Sequence, residues 1–360
     1  MSGIRPPTSP SLFVAPSLLP ISVCAIASHA PLEPGANRAE TAGSLPRADA
    51  IHGREKLLAF AVSVLLGTLS TFEYVKVSYD KCFHEFPLWH HAHMTNQASA
   101  PLQYRVLSYL IPEALARAGV PIAIAYVLER GAFLVAAGYV FFLFCRAWLG
   151  TLDTIFATTL LMFFYTLSAF PHIQPAEEIN LFAFALGLTF IRAGRFVPLL
   201  LTVAIAALNK ETIGFLIPFY FLWERRTRAG VGVYARSAAL SVTLAIVYVA
   251  IRALLGTNRP YLGGLWQLPY NLHLMVTNPF LGLMFLIPSL GPAIWIFRRR
   301  EWMDPFFVAF LPSLCMLVAG HLAISRVDEF RTYAPLALMT IPAGMLLLKE
   351  RVKDWSPGGE

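Results

Sequence analysis

Residues 196–223 read FVPLLLTVAIAALNKETIGFLIPFYFLW, and the fold turns on how this stretch is interpreted. Asn209, Lys210, Glu211 and Thr212 split it into two apolar arms. One reading is a single long helix with an ion pair near its centre. The other is a hairpin of two short helices whose tip holds the four polar residues. The two differ by one membrane crossing, so they place everything downstream on opposite sides. With the first apolar segment running outward from Arg54 and Lys56, the hairpin sets Arg225, Arg226, Arg228, Arg236, the run Arg298-Arg299-Arg300, Lys349, Arg351 and Lys353 on the cytoplasmic side. The single helix sets all of them outside. Cytoplasmic connections of membrane proteins concentrate Lys and Arg, and that bias selects the hairpin.

Around this stretch, apolar segments near the roughly 20 residues that a bilayer requires lie at 57–75, 125–147, 151–170, 237–256, 278–297, 304–324 and 333–349. A shorter one, 179–194, reaches Arg192 and is followed by Arg195. The expectation is an all-α, polytopic transmembrane bundle over residues 53–350, with about ten crossings and both of its ends cytoplasmic. Composition agrees, because 57% of the 360 residues are hydrophobic and 14% charged, where a soluble domain carries about a quarter charged residues. The apolar runs are unbroken rather than alternating, which disfavours an outer-membrane barrel. The net charge of +7 comes from short basic clusters between apolar segments, so no nucleic-acid partner is expected. Residues 1–52, rich in Pro, Ala and Ser, read as a tail or leader-like segment, and residues 351–360 as a short cytoplasmic tail. Four scattered cysteines make no disulfide framework. The chain carries no Walker pattern, Gly-x-Ser-x-Gly elbow or Cys-x-x-Cys pair, which leaves nucleotide hydrolysis, serine hydrolase and thiol redox chemistry without support.

This topology collects Glu73, Asp80, Glu85, Glu113, Glu177, Glu178, Glu211, Asp328 and Glu329 in, or next to, outward-facing connections. Charges near apolar segments are costly and are retained in pairs or in wet cavities, so their convergence is the main functional signal. The first outward connection, about 75–119, holds Asp80, Glu85 and the histidines His84, His90, His91 and His93. Its second half, 104–117, has helical spacing and a Glu113–Arg117 pair at i, i+4, which predicts an interfacial helix on the outer leaflet. Asp80 is the candidate general base, with Glu73 as its competitor. His84, His90 and His93 are weak metal-ligand candidates, their spacing matching no zinc pattern. Glu177 and Glu178 either complement a helix N-terminus or position substrate. Lys210 offers a point charge to a phosphate, or pairs locally with Glu211 or Glu178. Arg331 offers a planar fork, or pairs with Glu329 or a carboxylate of another loop. The connection 256–278, with Arg259, Pro260, Tyr261, Trp266, Tyr270 and Asn271, reads as an aromatic girdle or the wall of a lipid groove.

The order of these features, an acidic outward loop after the first crossing, Tyr104-Arg105 leading into a helix, Leu208-Asn209-Lys210-Glu211-Thr212 at a hairpin tip, and Glu329-Phe330-Arg331 before the last crossing, resembles the GT-C superfamily of polytopic glycosyltransferases. The resemblance covers residues 54–350. It implies transfer of a sugar from a polyprenyl-phosphate donor to an acceptor on the extracytoplasmic face, with membrane lipid and the lipid-linked sugar as partners. Asp80 then becomes the base or a metal-associated acid, and Glu177 or Glu178 the second acidic position. Lys210, Arg105 and Arg331 become the phosphate-facing cations, with Asn209, Glu211 and Glu329 beside them. No cofactor is obligatory on this reading. A divalent metal, Mg or Mn, stays an option, although the first loop has no Asp-x-Asp or Glu-x-Asp pair. The expected location is a bacterial inner membrane. A transporter or lipid-handling protein is the alternative, because a broken hairpin with ionisable residues at its tip also builds carrier sites.

Overall fold

The computed structural model describes residues 53–169, 175–228, 230–256, 266–326 and 329–355. Among them are thirteen α-helices and no strand. In chain order these are α1 (Gly53–Val77), α2 (Phe86–Met94), α3 (Leu107–Arg117), α4 (Ile122–Cys145), α5 (Thr151–Ala169), α6 (Glu177–Arg192), α7 (Phe196–Ala207), α8 (Leu216–Thr227), α9 (Val231–Leu255), α10 (Leu268–Thr277), α11 (Pro279–Arg298), α12 (Pro305–Ile324) and α13 (Ala334–Trp355). Five of them, α1, α4, α5, α9 and α12, are long and apolar enough to cross a membrane. The protein is an integral membrane protein.

The packing of α1 shows how such a helix is solved in lipid. Its buried positions are small, Ala59, Ser63, Gly67, Ser70 and Thr71, until Tyr74 in the last turn, while Leu57, Phe60, Leu65, Leu69 and Phe72 are exposed. A helix docked in water would reverse that arrangement. Between helices in a bilayer there is no hydrophobic drive, so close backbone approach through small residues supplies the contact. At Gly67 an added Cβ would stand 2.8 Å from Val135 Cγ2 and 3.0 Å from the Val135 backbone nitrogen of α4. Ser63 and Thr71 satisfy their hydroxyls within the helix, donating to the Ala59 and Gly67 carbonyls, while the Ser70 hydroxyl pairs with that of Thr166 in α5 at 2.6 Å.

The stretch that decides the topology is broken into two helices. Helix α6 ends in a Schellman motif, with the amide of Arg195 donating to the Phe190 carbonyl, that of Gly194 donating to the Ile191 carbonyl, and Gly194 at φ 65°. The chain then reverses into α7, and α8 runs back beside it. Phe196, at the start of α7, lies 6.0 Å from the ring of Tyr220 in α8, and Arg236 of α9 lies over Phe196 while reaching Glu224 of α8 at 3.8 Å. On one straight helix Phe196 and Tyr220 would be about 36 Å apart. The turn between them closes with the amides of Asn209 and Lys210 donating to the Ala206 carbonyl, followed by a 3-10 turn over Glu211–Phe215.

Contacts between helix ends sort the charges. Glu55 accepts from Arg146 at 2.7 Å, Lys349 pairs with Asp153, Trp148 donates to Asp304 at 2.7 Å, and the guanidinium of Arg192 lies over the Trp148 ring. These join the start of α1, the α4–α5 connection, the end of α6, the start of α12 and the last turns of α13 at one end, the arginine-rich end. The hairpin tip, the start of α6, the end of α9 and the connection before α3 meet at the other. There the amide of Leu107 donates to the Leu208 carbonyl at 3.1 Å, and Gln103 and Tyr104 donate to the Gly256 carbonyl.

The connection after α1 differs from the expected loop, because it stays helical almost to its middle. Ser78, Cys82, Phe86 and His90 are all buried, and this spacing of four keeps one face of the chain against α4 through the π-helical turn Lys81–Glu85 and on through α2. Helix α3 carries the expected Glu113–Arg117 pair at 2.7 Å. The expected aromatic connection before α11 includes a helix, α10, while Arg259, Pro260 and Tyr261 lie outside the described residues, as do residues 171–174 and Asp328. Replacing Gly67 by Val should separate α1 from α4 and cost about 1–3 kcal/mol by overpacking, read as a lower midpoint of thermal unfolding in detergent micelles.

Candidate functional site

Lys210 is the side chain whose charge most needs an answer at the hairpin tip, and the first residue of α6 supplies it. Its Nζ lies 2.8 and 2.9 Å from the two carboxylate oxygens of Glu177. Arg331, on the 3-10 turn Phe330–Tyr333 that leads into α13, approaches the same carboxylate, Nε to Oε1 at 3.4 Å, and its Nη2 donates to Glu329 at 2.9 Å. Lys210, Glu177 and Arg331 are each 6% exposed or less. Glu178, the next residue, pairs with Arg130 of α4, whose guanidinium lies 3.4 Å over the centre of the Tyr74 ring. Arg105 is half-buried just past the 3-10 turn Leu102–Tyr104 and within electrostatic reach of both Glu177 and Lys210.

Neutral groups complete the cluster. Asn209 donates from Nδ2 to the Ala176 carbonyl at 2.7 Å, and its Oδ1 is buried without a hydrogen-bond donor. Thr212 donates to Asn180 Oδ1 at 3.3 Å. Among the described residues this region brings together the cations Lys210, Arg331, Arg130 and Arg105 and the carboxylates Glu177, Glu178 and Glu329. Cations fixed in place and shielded from water act on an anion far more strongly than the same charges in bulk solvent.

The structure therefore gathers Arg105, Glu177, Asn209, Lys210, Glu329 and Arg331, while Glu178, the neighbour of Glu177, is paired with Arg130 instead. Glu211 is exposed and outside the group. The partner of Lys210 is Glu177 rather than Glu211 or Glu178, the two that sequence proximity and the next acidic loop suggested. Adjacent residues do not face one another, and Glu178 is turned toward α4. Asp80 and Glu73 are both exposed, and Glu73 lies 3.8 Å from Lys76. Because Ser78 and Cys82 point inward, Asp80 projects from the other side of the same helical turn.

The histidines do not converge on a metal. His90 uses both ring nitrogens, Nε2 with Glu113 at 3.0 Å and Nδ1 with the Tyr126 hydroxyl at 3.0 Å. His93 stacks on Tyr109 with ring centres 3.7 Å apart, and His84 is exposed on the π-helical turn. Among the described residues no group of three His, Cys, Asp or Glu side chains is placed to hold a metal ion. The donors present thus do not fit the expected set His84, His90 and His93. Sequence reasoning missed Glu129 and Arg130 altogether, two adjacent charges inside the apolar run 125–147. Their position within a spanning segment was the available signal.

Comparison of the chain with protein-family models, with curated proteins and with solved structures finds no match.

Two measurements follow from this geometry. Removing one member of a buried ion pair strands the other, so Lys210→Met and Glu177→Gln should each cost about 3–5 kcal/mol, and the double variant should recover part of that loss in an unfolding cycle. On the outer connection, burial, and next the neighbouring His90, push the His93 imidazole down to about 4 from its ordinary 6.5. Between those two pH values the unfolded chain binds a proton that the folded chain does not, so stability is complete above pH 6.5 and falls as the pH drops toward 4. His93→Phe should keep the stack on Tyr109 and flatten that fall in thermal unfolding curves. Glu113, held below the usual carboxylate range by the His90 hydrogen bond and then by Arg117, loses its contribution only at lower pH.

Proposed function

We propose that this protein is a membrane glycosyltransferase that moves a sugar from a polyprenyl-phosphate donor to an acceptor on the extracytoplasmic face. The observation that carries the reading is the buried cluster of Lys210, Arg331 and Glu177 with Arg105 beside it, an anion-favouring site at one end of a bundle in lipid. A lipid-linked phosphate is an anion delivered at that depth. On this reading α1, α4 to α9 and α11 to α13 make ten crossings, α2 and α3 lie at the outer surface, and the arginine-rich end faces the cytoplasm of a bacterial inner membrane. The collection of basic residues at the end opposite the cluster supports that orientation.

The chemistry asked of the chain is modest. As the bond between sugar and phosphate breaks, negative charge grows on the departing phosphate, and Lys210 and Arg331 are held where such charge is stabilised without reorganisation. Glu177 keeps the two cations in place while the site is free of donor. Arg105, less buried than either, is positioned to meet the phosphate first. The acceptor hydroxyl arrives from the aqueous side, so its proton goes to an exposed carboxylate of the outer connection. With Glu73 beside Lys76, that role falls to Asp80. No step requires a metal.

The test is sugar transfer from a panel of radiolabelled polyprenyl-phosphate sugars by the full chain reconstituted in liposomes. Lys210→Ala should lower turnover by about a hundredfold or more, the loss seen when one fixed charge-stabilising group is removed from a transition state. Asp80→Asn should lower it with little change in donor binding. Wild-type turnover by Lys210→Ala, or no transfer by the wild type from any donor, would overturn the assignment.

A further inference from the structure

A further buried acid of the bundle, Glu129, is not used by this reading. Glu129 lies on α4, 5% exposed, and its Oε1 is buried with no hydrogen-bond partner. Its neighbour Arg130 is committed to Glu178 and to the faces of Tyr74 and Tyr165. An ionised carboxylate left without a donor in such a place is expensive, whereas a protonated one has a hydrogen to give and no charge to solvate. Beside Glu129 is a cavity of about 10 Å³, bordered by Tyr126, Arg130, Glu178, Tyr74 and Cys82. That is room for about one water molecule among polar partners.

From the cavity a line of hydrogen-bonding side chains leads outward. Tyr126 borders the cavity one helical turn from Glu129, and its hydroxyl lies 3.0 Å from His90 Nδ1. His90 Nε2 lies 3.0 Å from Glu113, and Glu113, partly exposed, accepts from the exposed Arg117. A carboxylate only accepts, so in the resting state Nε2 of His90 carries the proton and Nδ1 accepts from Tyr126. Among the described residues, the charged groups that border the cavity besides Glu129 are Arg130 and Glu178. From α2 and α3 the titratable side chains over this region are His90, His93 and Tyr109, with rings packed against one another and against Tyr126.

We propose that Glu129 is a proton-binding site in the interior of the bundle, loaded from the outer surface through Glu113, His90 and Tyr126. With Glu129 ionised, the Tyr126 hydroxyl turns toward it, and His90 carries its proton on Nδ1, donating to the Tyr126 oxygen, with Nε2 free to accept from Glu113. A proton taken from water at Glu113 passes to Nε2, the Nδ1 proton passes to the Tyr126 oxygen, and the hydroxyl's own proton passes across the cavity to Glu129 Oε1. The chain of bonds ends with Nε2 protonated and Nδ1 accepting from Tyr126, the arrangement described above, so one proton has left water and one O–H bond has formed on Glu129. The site is independent of what the Lys210 cluster binds, and its test does not involve sugar transfer.

The experiment is pH-difference infrared spectroscopy of the full chain in lipid nanodiscs. The wild type should show a protonated-carboxyl carbonyl band whose intensity changes with pH, and Glu129→Gln, which keeps the shape of the neutral acid, should lack it while unfolding at the same temperature. Tyr126→Phe should retain the band but slow its hydrogen–deuterium exchange by about tenfold, the factor that goes with losing one buried hydrogen-bond partner. A spectrum unchanged by Glu129→Gln would overturn the proton site. Exchange as fast in Tyr126→Phe as in the wild type would overturn the path.

Discussion

The contact between Lys210 and Glu177 is the constraint around which the outer half of this protein is arranged. An ammonium group between two apolar arms is tolerable in a bilayer only with a carboxylate against it, and the nearest one in space belongs to the preceding helix. Bringing Glu177 to Lys210 fixes the hairpin tip beside the start of α6. Asn209 locks the same junction through the Ala176 carbonyl. Arg331 then extends the pair to the segment that precedes α13, so elements more than a hundred residues apart in the chain share one buried charge network. Pairs of this kind add little net stability against a well-packed apolar alternative, but breaking one is costly.

Helix α4 is the second organising element. One side of it receives α1 through small residues, and the close approach at Gly67 leaves no room for a side chain. Another presents Tyr126, Glu129 and Arg130 to a small polar interior. Arg130 is paired with Glu178, the neighbour of the α6 residue that holds Lys210. The interior of the outer half thus carries two polar regions in an otherwise apolar bundle, the Lys210 cluster and the surroundings of Glu129.

Much of the architecture was legible from hydropathy alone. The segments at 57–75, 125–147, 151–170, 237–256, 278–297, 304–324 and 333–349 all correspond to helices, and the break at Asn209–Thr212 is a hairpin whose arms pack back on one another. These features are local, because unbroken apolar length and clustered arginines act residue by residue on the partition between lipid and water. The first outward connection was read less well. Its polar and aromatic residues suggest a loop, yet a buried face of period four holds it helical against α4. Such a pattern gains meaning only once the partner helix is known.

The candidate site divides along the same line. Lys210, Arg331, Glu177 and Arg105 could be singled out as charges that an apolar chain must justify, and the structure gathers them. Which carboxylate each cation takes, and which acids face outward, is not written in the order of residues. Glu177 and Glu178 are adjacent and turn to different partners, and Asp80 sits between two buried residues while projecting away from them. The sequence by itself determined that this chain is a helical membrane protein, where its helices run and which charges are out of place. Only the tertiary structure decided which charges meet, because pairing depends on the rotation of each helix about its own axis, and that rotation is set by packing against neighbours far away in the chain.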